Sequence, residues 1–213
     1  MKKKKMVIFD FDGTIADTIH LGLQISNELA GEFNFKTIAK EDVKNLREYS
    51  SHEILKKMKI SLVKVPFIAL KFQRELSKRI DELRPIDGMI DLIKKLSDLK
   101  IKIGILTSNS KENVERFLEN YKLDNVFSFI HSERNIFGKT IVLKKTLWEQ
   151  KYKPSEVFYI GDETRDIDSA KKAHISIIAV GWGLNSEKAL LKHNPEYLVS
   201  NPSELLDKIK SLI

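Results

Sequence analysis

Four short apolar segments constrain the fold of this 213-residue chain more than any other feature. Each is rich in β-branched or aromatic side chains, which is typical of strands that are buried on both faces of a parallel sheet. The segments are 6–9, 101–106, 157–160 and 177–180. Weaker patterns at 126–130 and 197–199 indicate two further strands.

Helical patterns separate these segments. They cover 89–99, 111–121, 140–151 and 166–173, where apolar residues recur at helical spacing among charged ones. Strands that alternate with helices are typical of βαβ units. The pattern therefore predicts an α/β fold, with a parallel sheet covered by helices on both faces.

Residues 18–84 interrupt this alternation, because they show helical periodicity and no convincing strand. Pro85 and Gly88 mark the return to the alternating pattern. We expect an inserted helical domain at 18–84 and a core that is built from 1–17 and 85–213.

The composition is that of an ordinary globular protein, with 42% hydrophobic and 31% charged residues. No apolar run approaches the roughly 20 residues that a membrane-spanning helix needs. The lysines at 2–5 precede too few apolar residues for a signal peptide, and cysteine is absent. We expect a cytoplasmic protein that does not enter a membrane.

The net charge of +7 comes from lysines and arginines that are spread over the helices. No nucleic-acid-binding signature accompanies them, so we expect no nucleic-acid partner. A positive surface does attract small anionic substrates. Both a monomer and a homodimer are compatible with the sequence.

Two pairs of carboxylates follow predicted strands. Asp10 and Asp12 leave the first strand on the same side, because alternate residues of an extended chain point the same way. Asp162 follows a later strand, and Asp166 lies about one helical turn beyond it. Helix capping alone would explain one aspartate of the first pair, whereas a cap at Asp162 and a helix-dipole contact at Asp166 would explain the second pair. Four carboxylates at strand ends indicate a Mg²⁺ site instead.

A third polar cluster, Thr107-Ser108-Asn109, follows the strand at 101–106. Its hydroxyl and backbone N–H groups precede a helix and would suit a phosphate oxygen, although a helix cap would look the same. Ligands of open parallel sheets bind beyond the carboxyl ends of the strands. All three clusters are predicted at such ends, so we expect them to converge.

Together these motifs resemble those of the haloacid dehalogenase (HAD) superfamily of aspartate-nucleophile phosphatases. The resemblance rests on 10–14 (DFDGT), 107–109 (TSN), a lysine near Lys139, and Gly161-Asp162 with Asp166. The helical insertion and Asp17 are similar to the phosphoglycolate-phosphatase-like group. The resemblance implies a Rossmann-like core with a helical cap, which is the name we give to residues 18–84.

The resemblance also implies a role for each matching residue. Asp10 would attack phosphorus and bind Mg²⁺, and Asp12 would protonate the leaving oxygen, activate water and offer a backbone carbonyl to the metal. Thr107 would bind a phosphate oxygen. Asp162 would bind the metal, with support from Asp166.

Lys139 would be the phosphate-binding lysine of this family. Many relatives place proline after this lysine, whereas Thr140 follows it here, and Lys144 and Lys145 are competitors. Phe137-Gly138 favours Lys139, because it predicts that the lysine lies in a loop.

The expected activity is Mg²⁺-dependent hydrolysis of a small phosphorylated metabolite. A phosphomutase that acts on a sugar phosphate would share the first motif. A dehalogenase would leave Asp12 without a role, and the complete carboxylate set argues against a non-catalytic binding protein. Within the cap, Arg47 is a candidate for binding a substrate carboxylate, although a surface arginine would look the same.

Overall fold

The computed structural model describes residues 5–132 and 138–213. Within these ranges six strands form a single sheet, and every neighbouring pair is parallel. The strands are β1 (Met6–Phe9), β2 (Lys102–Thr107), β3 (Phe129–Ser132), β4 (Val157–Gly161), β5 (Ser176–Val180) and β6 (Tyr197–Val199). All six predicted strands are confirmed. β3 starts later than its pattern, because Val126 closes a turn onto Leu123.

Ten α-helices accompany the sheet in the described residues. They are α1 (Ile19–Phe33), α2 (Val43–Leu46), α3 (Ser51–Lys57), α4 (Val65–Lys78), α5 (Met89–Asp98), α6 (Lys111–Asn120), α7 (Lys139–Gln150), α8 (Thr164–Ala173), α9 (Glu187–Lys192) and α10 (Pro202–Leu212). No helix within these ranges is both long and apolar enough to cross a membrane.

The strand order is β3-β2-β1-β4-β5-β6. β2 and β3 lie on one side of β1, and the chain then crosses over to β4, β5 and β6 on the other side. Open parallel sheets bind ligands at such a reversal, outside the carboxyl ends of the strands. The ends of β1, β2 and β4 therefore lie next to one another at the position where a ligand is expected.

Alternate residues of the strands face opposite layers. Val7 and Phe9 belong to a core shared with α5, α6 and α10, whereas Met6 and Ile8 belong to one shared with α7, α8 and α9. The result is the predicted three-layer α/β arrangement, in which the sheet is rigidly held from both sides.

The cap contains α1 to α4 and, as expected, no strand. Its two connections to the rest of the chain run side by side, because the Asp17 N–H donates to the Arg84 carbonyl at 2.8 Å and the Ile86 N–H to the Ile15 carbonyl at 2.9 Å. Apolar side chains of α1, such as Ile25, share one core with the sheet layer. The division into separate domains at 18 and 84 stays a prediction.

Candidate active site

Three buried carboxylates meet where the strand order reverses. Asp10 directly follows β1, Asp162 directly follows β4, and Asp166 lies in the first turn of α8. One oxygen from each lies within 4.8 Å of those of the other two. None of the three residues is more than 2% exposed. The structure thus brings together three of the four carboxylates that the sequence nominated as metal ligands.

Lys139 lies against two of these carboxylates. Its Nζ donates to Oδ2 of Asp10 at 2.6 Å and to Oδ1 of Asp166 at 2.5 Å. The side chain is 2% exposed, so both ion pairs are shielded from water. An ammonium group held in this way is placed to offset negative charge beside Asp10.

The prediction that Lys139 lies in a loop is wrong. It is the first residue of α7, because the Ile141 and Val142 N–H groups donate to the Gly138 carbonyl and start the helix there. Phe137, the other residue of that prediction, lies outside the described residues. The competing lysines farther along α7, Lys144 and Lys145, are exposed.

The Asp12 carboxylate has different partners from that of Asp10. Its Oδ1 accepts from Nδ2 of Asn109 at 3.1 Å, and its Oδ2 lies 3.5 Å from the Thr107 hydroxyl, at the end of β2. The Asp12 carboxylate is not one of the three buried carboxylates that meet here, which we call the triad (Asp10, Asp162 and Asp166). Its predicted contribution to a metal through the backbone carbonyl stays a prediction. Two aspartates on one strand end are thus placed in two environments, as different chemical roles require.

Asn109 is held rigidly in the orientation that faces Asp12. Its backbone N–H donates to the Thr107 hydroxyl at 3.0 Å, and its Oδ1 accepts from the Ser110 N–H at 2.8 Å and from Asn113 at 2.9 Å. These contacts leave its amide nitrogen directed at Asp12. The substrate contacts predicted for Thr107, Ser108 and Asn109 stay predictions.

A loop at 181–186, for which the sequence indicated a structural role and not a chemical one, holds Asp162. The Leu184 N–H donates to its Oδ2 at 2.6 Å, and the Thr14 hydroxyl donates to its Oδ1 at 2.8 Å. A Cβ at Gly183 would lie 2.2 Å from that of Asp162, so only glycine permits this approach. The feature of the sequence that marks this loop is the pair of glycines at 181 and 183, which follows β5. The importance of these glycines becomes clear only when the side chain that packs against them is known.

Arg47 binds this same loop. Its Nη2 donates to the carbonyls of Gly181 and Gly183 at 3.0 Å each, and its Nε to that of Leu184 at 3.3 Å. Substrate binding by Arg47 stays a prediction, since in this arrangement its guanidinium joins the cap to the loop behind Asp162. Other contacts between cap and core include those of Ser51 with Glu163, of Gln73 with the Ser108 carbonyl, and of Asn185 with the carbonyls of Arg47 and Tyr49.

Burial perturbs the acidity of this cluster. It raises the pKa of Asp10 to about 7 against the opposing charge of Lys139, and it raises that of Asp162 well above its ordinary value, with further increases from Glu163 and Asp10. Desolvation also raises the pKa of Asp12 to about 6, although the Asn109 hydrogen bond opposes it. The pKa of Lys139 lies above its ordinary value despite burial, because Asp10 and Asp166 stabilise the ammonium.

The donor set fits a divalent cation. Five carboxylates, those of Asp10, Asp12, Asp162, Glu163 and Asp166, act on one another in this site, and the cations among the described residues that act on them are Lys139 and Arg165. Buried carboxylates remain ionised when positive charge compensates them. Mg²⁺ prefers oxygen ligands of this kind, so the triad could hold it.

Comparison with known proteins places this fold and site in a family. A model of haloacid dehalogenase-like hydrolases matches residues 7–180, which include all three strand-end clusters. The chain belongs to the haloacid dehalogenase-like hydrolase family.

Curated relatives agree with this assignment, and a solved structure of another protein shares the fold. The phosphoglycolate phosphatase of Synechococcus elongatus is 32% identical over 207 residues, covering 97% of this chain and 98% of that protein. The pyrophosphatase PpaX of Bacillus mycoides is 27% identical over 208 residues, covering 96% of each. The fold is similar to that of a haloacid dehalogenase-like hydrolase from Streptococcus pneumoniae, with a TM-score of 0.81 at 20% identity over 98% of this chain and 99% of that one.

Proposed function

We propose that this hydrolase is a Mg²⁺-dependent phosphatase that cleaves a small phosphate monoester of the phosphoglycolate type, with Asp10 as the nucleophile. The observation that carries the proposal is the buried cluster in which Asp10 lies beside both Lys139 and the carboxylates of Asp162 and Asp166. The curated relative named as a phosphoglycolate phosphatase, which is similar over nearly the whole chain, supports the substrate class.

Asp10 is suited to attack phosphorus. Its Oδ1 accepts from the Phe11 N–H at 2.8 Å and its Oδ2 from Lys139, so two hydrogen bonds fix the carboxylate. An ionised aspartate needs no additional base to act as a nucleophile. Its attack forms an acyl-phosphate bond on Asp10 and breaks the bond between phosphorus and the ester oxygen.

Asp12 is suited to the proton transfers. It gives its proton to the departing ester oxygen, and its carboxylate then takes a proton from the water that attacks the phosphorylated Asp10. Inorganic phosphate leaves and the free Asp10 carboxylate returns. A pKa of about 6 allows Asp12 to hold a proton and to release it near neutral pH.

The remaining groups provide charge and position. When bound by Asp10, Asp162 and Asp166, Mg²⁺ would offset the charge of the transferring phosphoryl group. Lys139 adds a fixed positive charge beside Asp10. Asn109 holds Asp12 in place, so that the proton donor does not rotate toward the triad.

Intact-protein mass spectrometry after rapid quench tests the proposal. We expect Asp12→Asn to accumulate one phosphoryl group, because the nucleophile remains while the base for hydrolysis is lost, with turnover lower by about 10²–10⁴-fold. Asp10→Asn should show neither adduct nor turnover. The wild-type protein should release inorganic phosphate from phosphoglycolate.

An adduct that maps to serine or histidine, or wild-type turnover in Asp10→Asn, would contradict the mechanism. Return of the phosphoryl group to a sugar instead of its release as inorganic phosphate would show a phosphomutase.

A further inference from the structure

Arg165 lies between the carboxylates of the site and the cap. It is the second residue of α8, between Asp162 and Asp166 in the chain. Its Nη2 donates to Oε1 of Glu163 at 2.5 Å, and one quarter of its side chain is exposed. Its Nε is buried and, among the described residues, has no hydrogen-bond partner.

This unpaired donor needs an explanation, because a buried N–H without a partner destabilises the fold. Guanidinium groups carry five N–H donors in a planar fork, and Glu163 takes one of them here. Arg165 therefore has donors left for an additional anion.

The other cations near the site are already engaged. Lys139 is buried between Asp10 and Asp166, and Arg47 donates to three backbone carbonyls of the 181–186 loop. Both side chains are therefore held in place by the partners that they already have. Arg165 differs from both, because within the described part of the site it is the cation that has a buried N–H without a hydrogen-bond partner.

Arg165 also acts electrostatically on the two aspartates that are proposed to do the chemistry. The charge of Arg165 reaches both Asp12, the proposed proton donor to the leaving oxygen, and Asp10, and it opposes the effect of burial on their pKa values. Its partner Glu163 accepts from the Ser51 hydroxyl of α3 at 2.6 Å. Through Glu163, Arg165 is thus linked to the cap at the point where the cap meets the core.

We propose that Arg165 is a specificity-determining residue that binds a carboxylate carried by the leaving group of the substrate. This inference rests on the proposed function. It narrows the substrate class to phosphate monoesters whose leaving group bears a carboxylate a short distance from the ester oxygen. The planar fork of arginine matches the two oxygens of a carboxylate, which lysine cannot do.

Calorimetric titration with two phosphonates in the presence of Mg²⁺ tests this inference. Phosphonopropionate, with phosphonate and carboxylate at its two ends, replaces the ester oxygen of phosphoglycolate by a methylene, and propylphosphonate lacks the carboxylate. We expect the wild-type protein to bind phosphonopropionate at least about 10-fold more tightly. Arg165→Gln should lose this preference, and Arg165→Lys should keep only part of it.

Lys172→Gln is the matched control, since it removes one positive charge from an exposed position of the same helix. It should keep the full preference. The inference is wrong if Arg165→Gln retains the preference. It is also wrong if Arg165→Gln weakens the binding of both ligands equally, as loss of a merely structural residue would. Should Arg165→Gln fail to fold by circular dichroism, an undiminished preference in Arg165→Lys would refute the inference.

Because binding of a phosphonate needs no turnover, this result is separate from the proposed function. A wild-type protein with the preference but without hydrolysis of any phosphate monoester would refute the phosphatase proposal alone. Hydrolysis without the preference would refute the role of Arg165 alone.

Discussion

Replacement of Gly183 by alanine tests whether the loop at 181–186 controls the metal site. The added Cβ would lie 2.2 Å from both Cβ and Oδ2 of Asp162, whereas ordinary contacts begin near 3.4 Å. The loop or Asp162 must therefore move by about 1.2 Å. The backbone of Gly183 is not left-handed, so this steric contact is the source of the effect.

The expected consequence is a displaced metal ligand. A misplacement of about 1 Å in a catalytic site can lower the rate by about 10²-fold, and crowding of a packed site typically destabilises by about 1–3 kcal/mol. We expect Gly183→Ala to lower kcat/KM by about 10²-fold. The Mg²⁺ concentration for half-maximal activity should rise by about 10-fold, because Asp162 would no longer align with Asp10 and Asp166.

Magnesium titrations of phosphate release, with urea unfolding in parallel, provide the measurement. Gly31→Ala is the control, since Gly31 lies in α1 and no atom comes within 4 Å of a Cβ built there. It should leave activity unchanged and raise stability by about 0.5–1 kcal/mol. A Gly183→Ala protein with wild-type Mg²⁺ dependence and turnover would refute the idea that this loop positions Asp162.

Two further predictions follow from the same cluster. Chelation of divalent cations should abolish turnover, and full activity in metal-free buffer would contradict the metal site. Mg²⁺ at 100 times its dissociation constant should stabilise the fold by about 2.7 kcal/mol, which would be measured as a rise in Tm. Lys139→Met should lower turnover by about 10²-fold or more and destabilise the fold by about 3–5 kcal/mol, because Asp10 and Asp166 lose their buried partner. Lys144 is exposed on the same helix, so Lys144→Met is the control. It should change the stability by less than about 0.5 kcal/mol in urea unfolding and leave phosphate release unchanged. An equal effect of the two substitutions would show that Lys139 has no special role.

The sequence by itself determined the strands and the carboxylates that follow them. Short β-branched runs such as 157–160 are predictable, because burial on both faces of a parallel sheet requires continuous apolar residues. Asp10 and Asp12 are predictable as a pair leaving one side of β1, because the two-residue period of a strand is a local property.

Only the tertiary structure decided what each of these groups contacts. Lys139 is 129 positions from Asp10 in the chain, and the pattern around it indicated a loop rather than the buried start of a helix. Asn109 and Asp12 are 97 positions apart, so nothing local in the sequence shows that one holds the other. The glycine at 183 is informative only when Asp162 is seen against it.

The physical reason is the range of the interactions. Hydrophobic periodicity and strand alternation depend on neighbours within a few residues, so they can be read along the chain. Charge compensation and steric fit depend on groups that the sheet order brings together from distant segments. For this reason the sequence left Lys144 and Lys145 as competitors of Lys139, and the folded chain buries Lys139 between two carboxylates while the other two face solvent.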